Sequence, residues 1–447
     1  KHGRIFDRGV AGVRKAGHPE LVTLDDQWML GTWSSTFATT LVGMMVDQGK
    51  MSWSMTIGEV FPELVGIMLP DFVNITLKLL VSHRSGVPLF GNYYADATPM
   101  EQRMKWILGG LIKPILYSPN TVTSYSYLGI TIAVTMVERI TGVAWETMAG
   151  EWVGKPLGIN SVGHGNPATY SASVPDQPWG HISDGSGGWT ATTAAHPQAL
   201  GPSMTMTLKA DDIARFMIAN GEGETAGGPF NFFMDSTMWN TLHTPYGGKT
   251  SSYQLASGFM ANSHEIFFAG SDNWWSTWAW LDITGKFGVV LCANTPSGDY
   301  LNSLAGTIRA AIIDRPDPPV APASPPPVVP ISPPVAPPTP PPPPPSTIPS
   351  SPSSTPPLSP PSTEPIGDPI ASPVLVPEAI ASPTVVPAEQ PTAVPSHSPS
   401  PVEPSSPLVV LPELSPTSSA CALAAKQTIL WIVLSSSLSV LAVALLC

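Results

Sequence analysis

Proline decides where this chain can fold. Most of its 54 prolines lie after Asp314, including an unbroken run from Pro340 to Pro345. Proline has no N–H for a helix or ladder and a fixed φ, so such a tract prefers polyproline II and builds no core. All but one of the 14 tryptophans (Trp431) come earlier, among Met, Leu, Ile and Val. The sequence therefore divides into a folded domain over residues 1–315, large enough for a substantial core, a Pro/Ser-rich disordered linker over 316–417, and an apolar C-terminal segment over 418–447. In the linker, Ile370-Ala371-Ser372-Pro373 returns as Ile380-Ala381-Ser382-Pro383, a weak repeat. Extended at about 3.1 Å per residue, some 100 such residues reach up to roughly 300 Å.

Within the domain, the stretch from Trp28 to Lys50 organises the rest. Gly31 permits a tight turn, Thr32 or Ser34 is placed to cap a helix, and Phe37, Leu41, Met44 and Met45 form an apolar stripe at helical spacing. Asp47-Gln48-Gly49-Lys50 closes it, with Gly49 suited to the left-handed residue past a helix end.

The net charge of −12, with no Lys/Arg cluster, argues against nucleic acid as a partner. Three cysteines make no disulfide framework, and Cys292, inside Val289-Val290-Leu291-Cys292-Ala293, reads as a small core residue. Nothing in the sequence calls for a metal or a cofactor. The chain begins at Lys1 and is read as lacking its natural start.

Several blocks together resemble the serine β-lactamase and penicillin-binding-protein superfamily, in particular its class C β-lactamase, D-alanyl-D-alanine carboxypeptidase and esterase branch. They are the Trp28–Lys50 stretch, Met51 to Leu64, Ile75 to Pro88, Thr123 to Gly142, Lys155 to Ile159, Pro178 to His181, Gly201 to Met204, Asp211 to Phe216, and the strand from Lys286 to Asn294 with a closing helix from Leu301 to Ile313. The resemblance spans residues 5 to 313 and implies an α+β fold: an antiparallel sheet flanked by helices, plus a mostly helical subdomain. It also implies a helix and a first strand ahead of Gly3. His83 matches a residue that holds a turn in the family.

The resemblance further implies where chemistry would sit. Family members use a Ser and a Lys in Ser-x-x-Lys, one turn apart on the same helix face, a Tyr in Tyr-x-Asn, and a Lys or His in [Lys/His]-x-Gly. Thr32 stands at the Ser, Ser35 at the Lys, Tyr125 at the Tyr, Tyr127 at the Asn and Phe268 at the Lys or His. No Lys elsewhere has Ser or Thr three residues before it, and no Gly-x-Ser-x-Gly elbow exists. Gly270 survives, and the backbone N–H groups of Thr32 and Ser271 remain for an oxyanion hole, which needs no side chain. A threonine hydroxyl is crowded by β-branching, and Tyr125 without either neighbouring cation is a poor base.

The leading expectation is a surface-tethered pseudoenzyme that binds a small-molecule, peptide or glycan ligand in the former cleft. The alternatives are a working esterase, amidase or D-peptidase using Thr32 and Tyr125, and a structural cell-surface protein dominated by its stalk. The aromatic run Trp274 to Trp280 suits either ligand stacking or a strand with alternating buried rings. Asn74-Ile75-Thr76 reads as a glycosylation sequon or as the N-cap of the next helix. Small residues Ser418-Ser419-Ala420, a spacer through Lys426-Gln427 and a terminal apolar run match a GPI-attachment signal, with a transmembrane helix as the competitor. Both place the domain outside the cell, anchored to the membrane.

Overall fold

The computed structural model describes residues 4–91, 98–244, 246, 260–262, 265–282, 287–313 and 440–446. Strand β1 (Ile5–Gly12) ends where Gly12 and Gly17 take positive φ, and β2 (Gln27–Met29) leads to Gly31 at φ +58°. From Gly31 a single 3-10 turn runs directly into helix α1 (Ser34–Asp47), so neither Thr32 nor Ser34 caps it. The apolar stripe expected there is also only part of the picture, because every residue from Ser34 to Met45 is buried. The hydroxyls on its remaining faces are satisfied within the helix: Thr36 donates to the Trp33 carbonyl at 2.9 Å, and Thr39 and Thr40 both donate to that of Thr36. Gly49 ends it at φ +66°.

A helical subdomain follows. Thr56 and Glu59 form a capping box for α2 (Ile57–Val60), and α3 (Pro70–Val73) leads into α4 (Leu77–Val81). Thr76, not Asn74, caps α4 by accepting the Leu79 N–H, and Asn74 is an exposed residue at the end of α3. Helix α5 (Pro99–Leu111) starts with Pro at its first position behind a Thr98–Glu101 capping box. Helix α6 (Tyr127–Thr141) is capped by Ser126 and stopped by Gly142, and α7 (Trp145–Met148) follows at once. Arg103 of α5 ties these together. Buried completely, it donates to both oxygens of Glu138 and both of Glu146, while Glu138 also accepts the Trp145 N–H at 2.8 Å.

The chain then builds its sheets. Short strands β3 (Gly163–His164), β4 (Gly180–Ser183), β5 (Trp189–Thr192) and β6 (Met206–Lys209) precede helices α8 (Ala210–Gly223) and α9 (Ser236–His243). After them come β7 (Met260–Asn262), β8 (Glu265–Ser271), β9 (Ser276–Asp282), β10 (Phe287–Ala293), helix α10 (Gly298–Ile313) and finally β11 (Val440–Leu446). The main sheet is antiparallel throughout, in the order β1-β11-β10-β9-β8-β7. Two small sheets, β2-β6-β3 and β4-β5, are formed as well.

Both faces of the main sheet are covered, and the period of two shows in the partners. Val289, Leu291 and Ala293 of β10 pack with Leu301, Leu304 and Ile308 of α10, while Val290 and Cys292 join the large core with α1 and α8. In β9, Trp278 packs on the α10 side and Ala279 and Leu281 on the other. From Ser276 on, the aromatic run is thus a strand buried on both faces, while Trp274 and Trp275 lie in the turn before it. Burial pushes the Cys292 thiol up to about 12, as befits a core residue.

Of the C-terminal segment, residues 418–439 and 447 lie outside the described residues, as does the whole linker. Residues 440–446 form β11, antiparallel to both neighbours, with Ala442 opposite Val10 and Ala444 opposite Val290. Among the described residues no single helix is long and apolar enough to cross a membrane. The α+β arrangement implied by the resemblance, a helix-flanked antiparallel sheet with a helical subdomain, is the one the structure has.

Candidate functional site

The site is assembled where the 3-10 turn before α1 meets the edge of β8. The contact is so close that only glycine fits on either side. A Cβ on Gly270 would lie 2.0 Å from the Leu30 carbonyl oxygen, and one on Gly31 would lie 2.6–2.7 Å from the Ser271 backbone. This explains why the glycine of the [Lys/His]-x-Gly pattern stays when its neighbours change. It also brings Thr32 and Ser271, the two backbone positions expected at the oxyanion hole, onto adjoining strands of chain.

Thr32 is half-exposed, and its hydroxyl donates to the Ala269 carbonyl at 3.3 Å. Ser35 is fully buried on the first turn of α1 and donates to the Thr32 carbonyl at 2.7 Å. Phe268 is buried too, and its ring lies on Trp33 with centroids 4.9 Å apart. Where the pattern would put a cation, the chain has a core aromatic.

Tyr125 and Tyr127 enter from the start of α6. The Tyr125 hydroxyl lies 3.5 Å from the carbonyl oxygens of Thr32 and Ser203, a weak contact at best. Its ring is held by His83, with centroids 4.3 Å apart. His83 itself sits at φ +56°, takes the Ser126 N–H on Nδ1 at 3.2 Å and offers its carbonyl to the Ser124 N–H. Burial drives its imidazole down to about 3, so Nδ1 is an acceptor and the ring is neutral. The residue expected to hold a turn does so, and it positions Tyr125. Tyr127 stacks on the half-exposed Phe90 at 4.9 Å and 11° and meets Tyr125 edge-on.

The positions Thr32, Ser35, Tyr125, Phe268 and Ser271 therefore come together, with Tyr127 on the rim; Asn74 stands apart, exposed at the end of α3. One charged residue escaped the sequence reading. Asp272, next after Ser271, is 1% exposed; Oδ1 accepts the Trp274 and Trp275 N–H groups, and Oδ2 has no partner. Burial lifts its carboxyl to about 6. Its negative charge adds to burial in raising both Tyr127 and Tyr170, the latter to about 12. An Asp-Asn pair between two strands reads as ordinary turn chemistry, which is why the sequence did not single it out. Among the described residues no cluster of three His, Cys, Asp or Glu side chains is arranged to hold a metal.

Residues 1–311 match the sequence profile of the Beta-lactamase family. The fold is similar to that of a penicillin-binding protein from Bacillus halodurans, with a TM-score of 0.53 and 17% identity over 67% of this chain and 91% of that one. A D-alanine carboxypeptidase from Burkholderia cenocepacia gives 0.50 and 18% over 67% and 88%. A D-amino acid amidase from Ochrobactrum anthropi gives 0.52 and 16% over 68% and 89%. Among curated proteins, an unguisins hydrolase of Aspergillus campestris is 26% identical over 161 residues, which is 31% of this chain and 28% of that protein. The match thus spans little more than a quarter of that relative.

Proposed function

The chain belongs to the β-lactamase family of serine hydrolases, and from that premise we propose that it is a member whose acyl-transfer chemistry is lost and whose cleft binds a ligand. The observation that carries this reading is the Thr32 hydroxyl, which gives its proton to the Ala269 carbonyl rather than to a base. A carbonyl oxygen cannot take up that proton. The neighbour that would replace the lysine, Ser35, spends its own proton on the Thr32 carbonyl. Loss of a nucleophile or its base costs on the order of 10⁴- to 10⁶-fold in rate, and groups that act as a unit are not lost additively.

The test compares the full chain with Thr32→Ala, using a fluorescent penicillin, a fluorophosphonate, nitrocefin and p-nitrophenyl esters. Equal, background signals in both support a binding role. Labelling or turnover that Thr32→Ala abolishes refutes it and makes Thr32 a nucleophile.

We further propose that the domain faces the outside of a cell from a proline-rich stalk anchored through the uncharged apolar run 428–447. Asn74, exposed within its sequon, suits glycosylation there. Membrane attachment and β11 draw on the same residues, so the two are mutually exclusive in any one molecule. Release from cells by a phosphatidylinositol-specific phospholipase supports a GPI anchor, and retention through carbonate extraction supports a span. A soluble protein that keeps its residues 440–446 refutes both.

A further inference from the structure

The strand of the main sheet that comes last in sequence is not at its edge. β11 lies inside the order, antiparallel to β1 on one side and to β10 on the other. Residues 314–439 separate it from α10, and their last proline is Pro416. Proline has no N–H for a ladder, so the uncharged run Val440-Leu441-Ala442-Val443-Ala444-Leu445-Leu446 suits an inner strand and the proline-rich linker does not. The borders of its slot are held without it. At one end Asn294, just past β10, donates from Nδ2 to the carbonyls of Val13 and Arg14, just past β1, at 3.5 and 3.2 Å. His181 bridges the same two segments. Its Nε2 accepts the Ala16 N–H at 3.0 Å, and its Nδ1–H donates to the Asn294 carbonyl at 2.7 Å. Both side chains are fully buried. Toward the other end Arg8 of β1 pairs with Asp211 of α8 at 2.7 Å, and Ile5 and Val10 rest on the large core that α8 and β10 share. Two strands with a third between them stand roughly 10 Å apart, so these contacts hold a slot one strand wide.

Empty, the slot would leave a row of backbone N–H and C=O groups on β1 and on β10 without partners, a costly state that an added strand relieves. Pairing of this kind draws its affinity from the main chain. β11 reaches the slot on a long tether, whose effective concentration is at most about 1 mM. We propose that the space between β1 and β10 is a strand-accepting site and that residues 440–446 are its displaceable plug. The partner it fits has the chemistry of the segment seated there: an extended, uncharged, proline-free peptide of about seven residues, rich in Val, Leu and Ala, antiparallel to both neighbours. Whatever draws the tail away, membrane attachment included, opens the site. The site is independent of the cleft and of whether Thr32 reacts.

The probe is a fluorescein-labelled peptide of residues 440–446 flanked by lysines for solubility, and its control is the same peptide with Val443→Pro. Anisotropy is read on the full chain and on the full chain with Ala442→Pro, which breaks the ladder of its own β11. The Ala442→Pro chain should bind the probe at least about tenfold more tightly than the unmodified chain, whose tethered tail competes. Neither chain should bind the control. No binding to Ala442→Pro, equal binding to both chains, or equal binding of probe and control overturns the proposal. Hydrogen exchange on the unmodified chain decides if Ala442→Pro does not fold. There, residues 440–446 should be protected in the free chain and lose protection in excess unlabelled probe, while β1 and β10 keep theirs. A tail that exchanges freely without probe, or stays protected at probe concentrations well above about 1 mM, overturns the proposal as well.

Discussion

Acid should loosen this domain at one identifiable point, His83. The ring is 1% exposed, stacked on Tyr125, and its Nδ1 faces the Ser126 N–H. Protonation would set a second donor against that N–H in a site closed off from solvent. The folded value is therefore about 3, against 6.5 for the free side chain. The unfolded chain takes up its proton first on acidification, so the contribution of neutral His83 is complete above 6.5 and is lost as pH falls toward 3. At ~1.4 kcal/mol per pKa unit, the loss reaches ~2 kcal/mol at about pH 5 and ~5 kcal/mol once both states are protonated. Asp272 runs the other way. Its folded value of about 6 lies above the free 3.8, so its contribution is complete below 3.8 and is lost as pH rises through 6. The native profile mixes the two, and a variant is needed to separate them. His83→Asn keeps a residue that tolerates φ +56° and removes the titration. Urea unfolding of both proteins, followed by tryptophan fluorescence at about pH 7, 6 and 5, should show the stability gap between them narrowing by ~2 kcal/mol over that range. A gap that stays constant refutes the buried, neutral imidazole.

Breaking the lock between α5, α6 and α7 should be severe. Arg103→Ala strands Glu138 without its partner in the core and is expected to cost ~3–5 kcal/mol in denaturant melts, whereas replacing Arg103 and Glu138 together by Met and Leu should cost less than Arg103→Ala alone. Gly270→Ala drives a methyl into the Leu30 carbonyl, so soluble yield and thermal midpoint should both fall sharply, while Gly9→Ala, which meets nothing, should leave both unchanged. Phe268→Ala empties a packed position against Trp33 and should lower stability by ~3–5 kcal/mol. Ser35→Lys puts an ammonium into a fully buried site, and thermal melts should show it destabilised by roughly 2 kcal/mol or more at neutral pH, recovering in part as pH rises and the amine sheds its proton.

What the sequence disclosed follows from where its constraints are local. Gly31, Gly49 and Gly142 each take the positive φ that their turns require, and a positive φ is a property of one residue and its neighbours. The correspondence of Thr32, Tyr125 and Phe268 to one site was legible because the motif spacings survive. Burial was harder. The apolar stripe on α1 concealed that its hydroxyl face is also buried, since serines and threonines that bond their own helix look polar in sequence yet cost little inside. The run Trp274 to Trp280 suited a strand with alternating buried rings, but nothing in it announces that α10 covers its second face. Asn74 lost the capping role to Thr76 by a shift of two residues, a scale at which capping signals overlap. Asp272 was hidden most fully: its burial and its unpartnered oxygen come from tertiary packing that no local pattern announces.

The geometry also shows why single substitutions toward the family pattern would not build its Ser-x-x-Lys chemistry here. The backbone frame depends on Gly31 and Gly270, and its rear wall on the contact of Phe268 with Trp33. Neither element depends on a nucleophile or a base. Phe268 now belongs to the core, and a histidine there would give up apolar contact while gaining an unpaired ring nitrogen. At Ser35 a lysine would be desolvated with only the Thr32 carbonyl identified beside it. Each reversion alone costs stability and returns no rate, because an activated hydroxyl needs its base and its electrophilic partner together.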